Sequence, residues 1–245
     1  MDYEVVINGI DVKAHYSENS INELFIPLLK TISDIQKKKG KRILVILAAP
    51  PGAGKSTLLS FLKYLSENTE GLSAVTTIGM DGFHRYQDYL LTHTTIRDDK
   101  EIPMVEIKGA PVTFDIDLLL ERIKMVAAGE ECGWPEYDRM NHNPVEDAIK
   151  VTGDIVLLEG NYLLLKRDGW SEIRKYADLT IKIDADIDML RDRLVERKIQ
   201  SGADKETARE FVEFSDLYNA TLCINNSYDA DVTLMLKSNN EYELI

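Results

Sequence analysis

Cysteine is nearly missing from this chain: Cys132 and Cys223 are the only two in 245 residues. They stand far apart and outside any metal-ligand spacing. That excludes a disulfide framework and points to free thiols in a reducing compartment. No apolar run approaches the roughly 18 residues that a membrane-crossing helix needs. The opening Met1-Asp2-Tyr3-Glu4 is acidic and lacks the basic-then-apolar pattern of a secretory leader, so a cytoplasmic location is expected. Basic side chains are outnumbered as well, 29 against 42 acidic, for a net charge of −13. Such a surface repels nucleic-acid backbones and anionic membranes, and neither is expected as a partner. A local basic pocket for nucleotide phosphates is still compatible with that balance.

Aromatic residues make up only 8%, but 44% of the chain is apolar, enough for a substantial core. Val5, Val6 and Ile7 lead into Asn8-Gly9 and then Ile10-Asp11-Val12, which predicts a β-hairpin with a tight primed turn. A helix is expected over 21–37, with Ser20 and Glu23 at capping-box spacing and Leu24, Leu28, Ile32 and Ile35 as its apolar stripe; Gly40 is a natural stop. Continuous apolar runs then recur at 43–48, 74–80, 154–158, 179–183 and 232–235, as in strands buried on both faces. Helical patterns at 56–65, 116–128, 187–201 and 205–224 separate them. The alternation predicts an α/β, three-layer architecture with a mostly parallel sheet flanked by helices. Residues 1–40 read as an N-terminal hairpin-and-helix extension and 41–245 as one sheet domain. The hairpin offers an exposed edge through which two copies can pair, so a homodimer is an open expectation.

Between the first core strand and a helix lies Ala49-Pro50-Pro51-Gly52-Ala53-Gly54-Lys55-Ser56-Thr57. This is the setting of a phosphate loop. Glycines let backbone N–H groups converge on an anion, and the following helix adds the positive end of its dipole. Pro51, Gly52, Ala53, Gly54, Lys55, Ser56 and Thr57 are therefore read as binding nucleotide. Lys55 can reach the β- and γ-phosphates and the Ser56 hydroxyl can ligate Mg²⁺. The pattern ordinarily starts with glycine where this chain has Ala49. The departure alters the strand exit and leaves the anion-facing positions intact.

The loop alone does not separate kinases from GTPases, ATP-driven machines or ATP-sensing regulators. Two acids narrow the choice. The run at 74–80 ends in Asp81-Gly82-Phe83-His84, which puts a carboxylate at the strand edge where ligands bind in open α/β sheets. Asp81 can take the proton of an attacking hydroxyl, or it can merely cap a turn with Gly82. The run at 154–158 delivers Glu159-Gly160-Asn161-Tyr162, where Glu159 either organises Mg²⁺ or marks a plain strand exit. The guanine-reading Asn-Lys-x-Asp tetrapeptide is absent, which argues against a GTPase.

Several motifs in order resemble the family of phosphoribulokinase, uridine kinase and pantothenate kinase, particularly a sugar- or nucleoside-kinase-like branch. They are the loop at 50–57, Met80-Asp81-Gly82-Phe83-His84, Lys108-Gly109-Ala110-Pro111 with Thr113-Phe114-Asp115, Pro135-Glu136-Tyr137-Asp138-Arg139, and the run from Leu158 to Leu165. The resemblance covers roughly residues 43–236. It implies the P-loop NTPase fold and an ATP- and Mg²⁺-dependent phosphorylation of a small-molecule hydroxyl, with Asp81 as catalytic base and Glu159 beside the metal. By position it also implies that Tyr137, Arg139 and His142 touch the acceptor, where an aromatic and a guanidinium suit a polyhydroxylated or anionic compound.

His84 and Tyr86 follow the expected base directly and can line the acceptor pocket; Lys108 precedes the Gly-Ala-Pro turn, and Asp115 is expected to cap a helix. Arg193 and Arg197 are four residues apart and share a helix face. The resemblance implies that they sit in lid helices at about 187–224 and neutralise charge on ATP, with Arg197 the catalytic one; Asp192 and Glu196 are alternative partners. Asp216 and Asn219 match a family signature without a derivable role. The competing functional class is an ATP-binding regulatory or chaperone-like NTPase with no small-molecule acceptor.

Overall fold

The computed structural model describes residues 1–7 and 10–245. Strands β1 (Asp2–Ile7) and β2 (Ile10–His15) pair antiparallel as expected, while the Asn8-Gly9 turn lies outside the described residues. The first helix starts earlier than its pattern suggested and contains a π-turn, Ser20–Phe25, before α1 (Ile26–Lys39). The Ser20–Glu23 capping box does not form. Instead Ser17 Oγ accepts from the Ser20 amide at 3.0 Å, and the Ser20 hydroxyl donates to Glu241 Oε2. A serine three residues upstream does the capping and frees Ser20 for a long-range contact. Gly40 ends the helix at φ 67°, a left-handed conformation that glycine adopts without steric cost.

The chain then alternates as predicted, with additions. In order come β3 (Ile43–Ala48), α2 (Lys55–Asn68), β4 (Thr76–Gly79), α3 (Gln87–Thr92), β5 (Thr94–Arg97), β6 (Lys100–Pro103) and α4 (Ile116–Ala128). They are followed by β7 (Cys132–Asp138), β8 (Asn143–Val151), β9 (Ile155–Gly160), β10 (Leu179–Ala185), α5 (Ile187–Gln200), α6 (Lys205–Phe211), α7 (Leu217–Asn226), β11 (Val232–Leu236) and β12 (Tyr242–Leu244). Six strands form the central sheet in the order β12-β11-β10-β3-β9-β4, all parallel except the β12 edge.

Strands β3 and β9 are buried along their whole length, which explains their unbroken apolar runs. Side-chain parity sorts the two layers. Ile43, Val45 and Leu47 point into one core with Leu58, Phe61 and Ile32, whereas Leu44, Ile46 and Ala48 point into the other with Leu119, Ile123 and Trp134. The N-terminal extension packs into the first layer: Tyr16 stacks on Phe61 of α2 with ring centroids 4.0 Å apart, and Phe25 is fully buried beside them.

Three features differ from the sequence expectations. The strand expected at 74–80 is shorter, and Met80–Phe83 forms a 3₁₀ turn that carries Asp81 out of the sheet. The region expected as one helix over 205–224 is α6 and α7 joined by a π-turn at Val212–Asp216. Two hairpins, β5–β6 and β7–β8, stand outside the sheet, and neither was predicted.

Candidate active site

The site is assembled at the C-terminal ends of β3, β9 and β4, which are neighbours in the sheet. Ala49 leaves β3 with its amide on the Gly160 carbonyl at 3.3 Å and its methyl buried in the first core layer. An alanine therefore fits where the usual pattern has glycine. Gly52 turns the loop at φ 83°, and a Cβ there would lie 3.0 Å from Leu194 Cγ of α5. Loop and α5 are thus in direct contact, and both the conformation and the space demand glycine. Gly54 (φ 75°) precedes α2, whose first-turn amides have no intrahelical partners and point toward an anion position.

Lys55 and Ser56 open α2 and meet Glu159 from β9. Ser56 Oγ donates to Glu159 Oε1 at 2.7 Å, and Lys55 Nζ stands 3.9 Å from Oε2. Burial pushes the Glu159 carboxyl up, helped by the Asp81 charge and opposed by Lys55 and Ser56, and the net displacement is upward. Burial pushes Asp81 up too. There the charges of His84, Lys55, Arg139 and Arg197 outweigh it and hold the carboxyl below its ordinary range. The two acids are driven apart: Asp81 keeps its charge while Glu159 takes protons more readily. A hydroxyl beside a carboxylate is a hard-oxygen donor set, which suits Mg²⁺ completed by phosphate and water. Among the described residues, no cluster of three or more His, Cys, Asp or Glu side chains forms a self-sufficient metal site.

His84 is fixed by Nδ1–H donating to the Asp81 carbonyl at 2.8 Å, with its ring 4.0 Å from Phe114 and 5.0 Å from Tyr137. Burial lowers its pKa against the opposing pull of Asp81. Gly82 lets β7 approach this turn: a Cβ on it would fall 1.9 Å from the Pro135 carbonyl oxygen. Tyr137 and Arg139 reach the site from that ribbon. Arg139 is exposed, yet its charge acts on Asp81, Glu159 and His84.

Other expected acceptor residues lie further out. Lys108 is engaged by Gln87 Oε1 at 2.7 Å and the His142 carbonyl at 2.9 Å, and sits over the Tyr137 ring. His142 is exposed at the ribbon turn with φ 54°, contributing that carbonyl. Tyr86 is half exposed and donates to Glu146 Oε1 at 2.8 Å. It lines a cavity of 340 Å³ walled by Phe83, His84, Arg85 and Leu118, and none of Lys55, Ser56, Asp81 or Glu159 reaches that cavity.

The arginines of α5 divide their work. Arg193 Nη1 donates to the Gly52 carbonyl at 3.4 Å and Nη2 to Asn240 Oδ1, so it lies against the phosphate loop. Arg197 acts on Asp81 by charge and stands 4.0 Å from Asp216 Oδ2. Neither uses Asp192 or Glu196, the partners that sequence proximity suggested. Asp115 caps α4, accepting from the Leu118 amide at 3.2 Å. Sequence reasoning missed Asn240 and Gln87, which support Arg193 and Lys108 from loops with no local signature.

A parallel-sheet core that carries a phosphate cradle between its strand ends, with a lysine, a hydroxyl and two acids converging there, defines a P-loop kinase. The chain belongs to the Phosphoribulokinase / Uridine kinase family, whose model matches residues 44–236. It is 37% identical to the Escherichia coli uncharacterized protein YggC over 99% of this chain and 98% of that one. It is 33% identical to the Schizosaccharomyces pombe "Putative uridine kinase C227.14" over 80% of this chain and 84% of the relative. Among solved structures it resembles the "putative fructose transport system kinase" of Silicibacter sp. TM1040, with a TM-score of 0.73, 27% identity, and coverage of 84% of this chain and 98% of that one. Among the described residues no helix is long and apolar enough to cross a membrane.

Proposed function

We propose that this protein transfers the γ-phosphoryl group of ATP to a hydroxyl of a small metabolite, with Asp81 as the base. The observation that carries this reading is the meeting of Lys55 and Ser56 with Glu159 at the end of β9, paired there with Gly79, which leads directly into the turn bearing Asp81. ATP phosphates would lie on the amides of residues 52–57, with Lys55 and Arg197 neutralising charge on the transferring group and Arg193 beside the loop. Ser56 and Glu159 would hold Mg²⁺, which would supply neutralisation of the phosphate charge. The acceptor oxygen attacks the γ-phosphorus, its proton passes to Asp81 Oδ, and the bond from the γ-phosphorus to the β-bridging oxygen breaks to release ADP. His84, Tyr137 and Arg139 would face the acceptor, and Lys108, His142 and Tyr86 would shape the ribbon that bears them. The contact of α5 with Gly52 favours a lid that excludes water, the competing acceptor.

The test is an ADP-release screen over sugars, nucleosides and vitamins with wild type and Asp81→Asn. A compound that stimulates ADP release and becomes phosphorylated, with turnover lost in Asp81→Asn at unchanged ATP affinity, supports the reading. ADP release that responds to a protein partner and to no metabolite refutes it.

A further inference from the structure

The cavity beside the Asp81 turn has no part in the transfer chemistry, although its 340 Å³ lies within the roughly 300–1,000 Å³ of small-molecule sites. Its walls come from the turn itself, from the residues leading into α3, from the first turns of α4 and from the β7–β8 ribbon. Tyr137, Arg139 and Lys108 do not line it, so it is separate from the space in which an acceptor would meet Asp81. His84 is the partition: it lines the cavity and holds its ring 5.0 Å from Tyr137.

An irregularity in the ribbon builds one wall. Pro135 has no N–H to give to the ladder, and the register slips between Trp134 and Glu136. Pro135 alone therefore faces Glu146, Asp147 and Ala148 of β8. Asp147 takes the left-handed φ of 51°, and its carboxylate lies across Gly133, where a Cβ would fall 1.9 Å from Oδ1. A bulge of this kind re-aims side chains, and here Glu146 and Asp147 both border the cavity. Phe83, Leu118, Pro135 and Pro144 give it an apolar lining.

The charges around it do not balance. Arg85 stands 3.3 Å from Asp115, with its guanidinium also over the Tyr89 ring at 4.8 Å. Arg122 stands 3.9 Å from Asp147. Glu146 is left over. It accepts from the Tyr86 hydroxyl at 2.8 Å, and among the described residues it has no basic partner. His84 does not make up the difference, because burial disfavours its charged form. An anion in the cavity would meet three carboxylates against two guanidinium groups. A single positive charge would instead complete the pairing. Tyr86 offers that charge an aromatic face that is 48% exposed, next to the unmatched carboxylate, and a cation over such a face is attracted by the ring electrons.

We propose that this cavity is a second small-molecule site that takes a monovalent organic cation, an amine carried on an apolar ring, with Glu146 as its counter-charge and Tyr86 as its aromatic wall. The proposal does not rest on the kinase reading, since it concerns binding without nucleotide or acceptor.

The experiment is calorimetric titration of the full chain with tryptamine, with its neutral analogue tryptophol and with the anionic indole-3-propionate. The expected result is one tryptamine bound per chain, at least tenfold more tightly than tryptophol, and no binding of indole-3-propionate. Glu146→Gln keeps an acceptor for the Tyr86 hydroxyl and removes only the charge, so it should abolish the preference for tryptamine over tryptophol. Leu118→Trp, which adds bulk to the half-exposed lip of the cavity, should weaken tryptamine binding tenfold or more. A tryptamine Kd above about 1 mM overturns the proposal, as does tryptophol or indole-3-propionate binding equally well. Tryptamine affinity unchanged in either variant also overturns it, because the amine would then lie elsewhere.

Discussion

The Ser56 hydroxyl donates to Glu159 Oε1 across 2.7 Å, joining the first turn of α2 to the end of β9. The two oxygens that suit a magnesium ion thus hold each other in register before metal arrives. Ser56→Ala removes one of these oxygens and the donor that steadies the other. A Mg²⁺ titration of initial rate should show the half-saturating concentration rising at least tenfold, with ATP binding in the absence of metal unchanged.

The paired acids also set a pH dependence. Glu159 lies above its ordinary value, so as pH falls it takes a proton before Asp81, whose pKa is depressed. The acid limb of kcat/KM should therefore track one ionisation above 4.5, the ordinary value for Glu159. Mg²⁺ held by Glu159, as proposed, would compete with that proton. Raising Mg²⁺ should move the limb to lower pH, and a limb indifferent to Mg²⁺ would remove Glu159 from the metal site.

Gly82 tests how tightly the β7 ribbon is seated against the turn bearing Asp81. A methyl group there meets the Pro135 carbonyl oxygen at 1.9 Å, a distance no rotamer relieves. Gly82→Ala should lose about 1–3 kcal/mol in urea unfolding, the range typical of overpacking. It should also depress kcat, because the displaced turn carries Asp81, the proposed base.

Away from the site, Asp231 Oδ2 accepts from both the amide and the hydroxyl of Thr180, tying the start of β10 to the chain entering β11. The hydroxyl bond is the main cause that lowers the Asp231 pKa. A depressed carboxyl stabilises the fold above its unfolded pKa, and this contribution is lost as pH falls through the folded value. Asp231→Asn should therefore lower the thermal midpoint at pH 7 by a few degrees, and the difference from wild type should shrink toward pH 3.

The parts of this protein that were legible in its sequence are those where burial dictates composition. Ile43–Ala48 and Ile155–Gly160 are walled on both faces, so their apolar runs are unbroken, and the phosphate loop has few residue choices because its backbone must curl around an anion. The β7–β8 ribbon was illegible for the opposite reason. Its strands are half exposed, interrupted by Pro135 and Pro144, and held by one another more than by the core. β12 is three residues long and owes its existence to pairing with β11. Long-range supports such as Asn240 under Arg193 leave no local pattern, because nothing near Asn240 in the chain depends on that contact.

Tyr16 lies flat on Phe61, and Phe61 belongs to the helix whose first turn forms the phosphate cradle. On the far side of the same arm, Ser17 and Ser20 both donate to Glu241 beside β12. The N-terminal arm is therefore a clasp fastened at two points, to α2 through Tyr16 and to the turn before β12 through Ser17 and Ser20. Heat that loosens the arm must loosen the mount of the cradle with it, so calorimetry should record one cooperative melting event for arm and kinase core together.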